Sequence, residues 1–133
     1  MEKDAIWALA AGAALAWGTL AAAELDLTDF NDDVMKTMDD SAKSLNSDLS
    51  DRNASSAAAD AAAIVSGMKL AEEYFVRKGT VPDAVKWAKQ AQDLATQVAR
   101  SVAANDFTTA LDSYDTLQKT CHTCHNVYKP PEL

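Results

Sequence analysis

NDFTTALDSYDTLQKTCHTCHNVYKPP, residues 105–131, holds both cysteines and both histidines of a 133-residue chain. Asn105-Asp106 supplies N-capping side chains, and Pro130-Pro131 supplies a stop. Between them Phe107, Ala110, Leu111, Tyr114, Leu117, Cys121, Cys124 and Tyr128 recur at spacings of three and four. That period describes one amphipathic helix, and it carries the cysteines onto the apolar face.

Working back along the chain, the same period repeats three times. Thr80-Val81-Pro82-Asp83 opens a helix with Thr80 as its expected N-cap and Pro82 in the first turn. Its face is Val85, Ala88, Ala91, Leu94, Ala95, Val98 and Val102, with Trp87 beside it. Before it, Ala61, Ile64, Val65, Met68, Ala71 and Phe75 form a second face that ends at Arg77-Lys78, with Gly79 just beyond. Cations and then glycine are the usual chemistry of a helix C-terminus. The first helix presents Phe30, Val34, Met38, Leu45 and Leu49, with Met35 and Ala42 at the edge and Thr28 or Asp29 as N-cap. The polar run 46–53, NSDLSDRN, reads as its connection to the next. Short connections make sequential helices antiparallel neighbours, so the expected fold is all-α, an antiparallel four-helix bundle.

Composition agrees. Hydrophobic residues make up 48%, Gly (4) and Pro (3) are scarce, and the helix faces are rich in alanine. Alanine favours helix but buries little area, so such a bundle gains from a large apolar group in its core. No internal repeat or Gly-rich phosphate loop is present. The net charge of −8 repels nucleic acid and anionic lipid; it favours encounter with a basic partner protein and also keeps the chain dispersed.

Residues 5–23, AIWALAAGAALAWGTLAAA, lack charge and follow a charged head, MEKD. Ala21 and Ala23 form an A-x-A site, so residues 1–23 are expected to be a signal peptide cleaved before Glu24. An uncleaved membrane anchor is the alternative, weakened by the alanine content and by Gly12 and Gly18. Removing Glu2, Lys3 and Asp4 takes the net charge from −8 to −7 and leaves a domain at 24–133. An exported protein of this kind is expected to be periplasmic, where thiols must be paired, modified or ligated.

On a helix, Cys121, Cys124 and His125 project from one face. Two thiols at that spacing can meet the two vinyl groups of haem, and the adjacent imidazole can hold the iron; C-x-x-C-H is the c-type haem signature. A structural zinc site needs four Cys/His ligands, and no second pair exists. A thioredoxin-type dithiol sits at the start of a helix after a strand, and a disulfide between i and i+3 on a continuous helix is poorly shaped. His122 is expected to face solvent. The expected cofactor is one covalent haem c on Cys121 and Cys124, with His125 as proximal ligand.

A leader, four helices and C-H-T-C-H-N-V-Y-K near the C-terminus resemble the class II c-type cytochromes, the cytochrome c′ and cytochrome c-556 family. Cys121, Cys124, His125, Tyr128 and Lys129 match its C-x-x-C-H-x-x-Y/F-R/K pattern, and Trp87 stands where its third helix often carries tryptophan. The family divides over the iron's second face. One branch places an apolar residue there and binds small gases; the other places a first-helix methionine there and is closed. The stretch VMKTMDDSAKSL, residues 34–45, is similar to the family's first-helix pattern and puts Met35 at the distal position. Periodicity alone prefers Met38, nearer the middle of the face, Met68 on the second helix is a distant third, and Met35 and Met38 could both be plain core. Where many relatives have an arginine four residues earlier this chain has Asn31, leaving Lys36 or Arg52 as substitutes toward a propionate.

The resemblance therefore implies an electron-carrying protein rather than an enzyme, with His125 and Met35 filling both axial positions. One alternative is a five-coordinate cytochrome c′ binding NO or CO; another is a helical protein whose CHTCH holds zinc or copper. The implied partner is a redox protein with a basic docking surface. The resemblance also allows a homodimer through the first two helices, as in many relatives.

Overall fold

The computed structural model describes residues 26–128. Four helices follow in order: α1 (Asp32–Ser50), α2 (Ala54–Lys78), α3 (Pro82–Ala103) and α4 (Phe107–Val127). Each connection is three residues long, which forces antiparallel neighbours. Helix α1 packs on α2, α2 on α3, α3 on α4, and α4 back on α1, with no diagonal packing. The chain is thus an all-α four-helix bundle, and the α1–α4 seam is its loosest. Among the described residues no helix is long and apolar enough to cross a membrane. The leader expected at 1–23 and the Pro130-Pro131 stop lie outside the described residues.

The helix ends follow from local chemistry, with three departures from the sequence expectations. Helix α1 is capped by Asn31, whose side chain accepts from the Asp33 amide at 3.0 Å, rather than by Thr28 or Asp29. Asp29 is instead engaged across the fold by Tyr74 Oη (2.6 Å) and Lys78 Nζ (2.9 Å). Helix α1 also continues through the polar run to Ser50. Leu45 and Leu49 stack one turn apart in the core, and that burial outweighs the polar residues between them, which face outward. The third departure is at α3, whose N-cap is Val81 with no side-chain cap bond. Val81 is buried against Phe75 and Ala84, so apolar packing fixes the entry of α3. Elsewhere the expectations hold: Gly79 closes α2 with φ 74°, and Asp106 caps α4 through the Thr109 amide at 3.0 Å.

The core has two parts. The larger surrounds Leu45, Leu49, Val98, Phe107 and Leu117, at the end where α1 joins α2 and α3 joins α4. The smaller gathers Tyr74, Phe75, Val81 and Ala84 at the opposite end, with Phe30, Met35 and Tyr128 packed around them. Met68 touches both parts.

Candidate functional site

Between the two parts of the core lies a chamber of about 500 Å³. All four helices wall it: Met35, Met38 and Ala42 from α1; Ile64, Met68, Ala71 and Phe75 from α2; Trp87, Ala88 and Ala91 from α3; and Leu117, Cys121, Cys124 and His125 from α4. Four of these are alanines, which explains the space: helices set at bundle spacing by Leu and Val elsewhere do not meet where both sides offer only a methyl group. By the relation found for core truncations, an enclosed empty void of this size would cost on the order of 10 kcal/mol. That is about the whole stability of a domain. Such a chamber is consistent with a protein that holds a sizeable group or solvent there, and its volume falls in the range of cofactor pockets.

Cys121, Cys124 and His125 occupy one face of α4 for the reason the spacing gives, and all three are half-buried at the chamber wall. The cysteines are free. Burial pushes the Cys121 thiol up, and burial, then Cys121 and Asp83, push Cys124 up to about 11. Both are therefore thiols rather than thiolates at neutral pH. Thiolate is the species that performs disulfide exchange, so this pair is poorly suited to redox dithiol chemistry. Burial also lowers the His125 pKa, helped by His122 and opposed by Asp39, which keeps its imidazole neutral and able to donate a lone pair to a metal. His122 is exposed at the chamber rim, as its position on the helix implies.

On α1, both candidate methionines reach the chamber wall. Met38 is buried at 7% exposure, whereas Met35 is half-buried among Phe30, Phe75 and Tyr128. Trp87 and Tyr128 close the aromatic end, their ring centroids 6.3 Å apart. Tyr128 Oη donates to Asp83 Oδ1 at 2.7 Å, tying the end of α4 to the start of α3; that bond and burial push its pKa up to about 12. Lys36 is exposed one residue from Met35. Arg52 lies over the Phe107 ring, 5.9 Å from its centroid. Phe107 begins α4 and the CHTCH motif ends it, so the structure removes Arg52 from any role at the chamber.

Sequence reading missed two contributors. Tyr114 Oη donates to the Ala42 carbonyl (3.0 Å) and accepts from Gln118 Nε2 (2.8 Å), strapping the loose α1–α4 seam beside the chamber. Gly67 on α2 underlies Met38. Of the two, only the glycine left a signal: glycine inside a helical pattern usually has a packing reason. Met68, the more distant methionine candidate of the sequence, lines the wall between the core halves. Among the described residues, no three His, Cys, Asp or Glu side chains converge as metal ligands. What the residues present do fit is a group needing two thiols, one imidazole and a large apolar slot, which is the description of haem c. Comparison of the chain with protein-family models, with curated proteins and with solved structures returned no match.

Proposed function

We propose that the chain is an exported mono-haem c-type cytochrome that carries electrons. One observation carries the reading: Cys121, Cys124 and His125, within one turn of α4, border a largely apolar chamber of about 500 Å³ that methionine thioethers also line. Haem bound there would supply a one-electron iron couple. Cys121 and Cys124 would hold it as thioethers, and His125 and Met35 would ligate the iron.

The chain's own part is to position, enclose and tune. Two links and an imidazole on one rigid helix fix the group against α4. Alanines on α1, α2 and α3 leave room for a flat ring, while Phe75, Trp87 and Leu117 exclude water. A low-dielectric wall penalises the extra charge of the ferric state, and a thioether ligand favours the ferrous state; both raise the potential. With His125 and Met35 both committed to the iron, no ligand place would remain for substrate, which supports a carrier rather than an enzyme. Asp32, Asp33, Asp39 and Asp40 expose carboxylates along α1 beside the chamber and would attract a basic redox partner. Export to the periplasm, through residues 1–23, would supply the compartment in which such cytochromes mature.

A haem stain after denaturing electrophoresis tests the reading: a coloured band at the chain's mass is expected, and its absence overturns it. In the ferric protein a weak near-infrared thioether-to-iron band and no carbon monoxide binding in the ferrous form are expected. Carbon monoxide binding with no such band would instead assign a five-coordinate, gas-binding cytochrome c′. Stoichiometric zinc or copper in a stain-negative protein would assign the non-haem reading.

A further inference from the structure

Gly67 sits in the middle of α2, where glycine is a weaker helix former than alanine. It is buried, and its backbone is ordinary helix, unlike Gly79, whose positive φ explains its glycine. Conformation therefore does not call for glycine at 67; space does. A Cβ there would overlap Met38 Cγ and Sδ and touch Met38 Cε at 3.4 Å. The Met38 thioether thus lies across the bare backbone of α2, in a notch that only glycine provides. Met35, one turn earlier on the same wall, packs among aromatic rings instead.

We infer that Gly67 is a positioning residue that decides which methionine serves the chamber. By seating the Met38 sulfur against α2, it withdraws that thioether and leaves the distal place to Met35. A methyl group at 67 displaces Met38 Cγ and Sδ, and the open space beside them is the chamber. This inference rests on the haem reading above, so its tests separate the two.

The first test needs no haem. Gly67→Ala should lower the thermal midpoint of the protein as prepared by about 5–20 °C through overpacking. In a Met38→Ala background the same Gly67→Ala change should cost little, because the side chain that collides is gone. Independent, additive effects of the two substitutions would overturn the notch. Gly67→Ala in the Met38→Ala background also provides a folded control should the single variant fail to fold.

The second test reads the iron. Met35→Leu alone should open the ferrous protein to carbon monoxide and remove the near-infrared band. Met35→Leu with Gly67→Ala should regain the band and weaken carbon monoxide binding at least about tenfold, because the displaced Met38 now reaches the iron. Adding Met38→Leu to that pair should abolish the recovery. Unchanged carbon monoxide binding between Met35→Leu and Met35→Leu/Gly67→Ala would overturn the selection by Gly67, as would an opened site in Met38→Leu alone. A negative haem stain together with intact coupling of Gly67 and Met38 would sink the haem reading, and with it the selection, while leaving the packing notch in place.

Discussion

Where α1 joins α2 and α3 joins α4, the bundle is solid: Leu45, Leu49 and Val98 are fully enclosed. At the other end Phe75 and Trp87 line a chamber, and the Tyr74 and Tyr128 rings pack beside them. The backbone is equally regular in both halves, and α3 lines both with alanine. The difference lies in what faces those alanines. Leucine and valine from α1, α3 and α4 fill the first half to ordinary interior density. In the second half the long side chains are drawn to the end, and Cys121, Cys124 and Met35 border an unfilled space. A single alanine-rich design thus gives a packed anchor and a hollow receptor, and the anchor holds the helices apart at the spacing that keeps the receptor open.

The sharpest break of this comparison comes at the receptor. Replacing both Cys121 and Cys124 by serine should abolish the haem stain completely, because the two thioether links are gone. Leu49→Ala acts on the anchor instead. It opens a void in the filled half and should cost about 2–5 kcal/mol by denaturant titration. Met68→Ala, at the chamber wall, should cost under about 2 kcal/mol in haem-free protein, since it enlarges a space that already exists. Equal losses at the two sites would erase the distinction between anchor and receptor.

A smaller effect is expected at the strap between them. Tyr114→Phe removes the bond to the Ala42 carbonyl and the bond from Gln118, and should cost about 1 kcal/mol. Amide hydrogen exchange should show the loss concentrated along the α1–α4 seam. The smallest effect has the reverse sign. Asp60, between α1 and α2, has a buried Oδ2 without a partner, and burial, then the neighbouring Asp48, raise its pKa against the help of Ser44. A carboxyl whose folded pKa is raised binds its proton more tightly when folded, so stability falls as pH climbs from the ordinary value of 3.8 through the raised one. Asp60→Asn should therefore be stabilising at pH 7, by up to about 1 kcal/mol, and neutral at pH 3. A constant difference across that range would mean the carboxyl does not titrate in this way.

Much of the helix framework was legible in the chain because it rests on local rules. Caps at Asp106 and Gly79, cations at the end of α2, and a three-and-four period of apolar residues are readable without knowing any neighbour. The errors fell where a tertiary contact overrode a local signal. Burial of Leu49 drew the helix through 46–50, Val81 replaced Thr80 at the start of α3 because it packs, and Asp29 was taken by Tyr74 and Lys78 instead of capping α1.

The sequence by itself determined four helices and put Cys121, Cys124 and His125 on one face, because the spacing of residues on a helix is fixed by its geometry. It could not determine the chamber, since an alanine face looks the same whether its partner fills the gap or leaves it. Nor could it distinguish Met38, seated on Gly67, from Met35 among the rings. Those two residues lie one turn apart in the chain, and their surroundings differ only because α2 brings a bare backbone to one and aromatic side chains to the other.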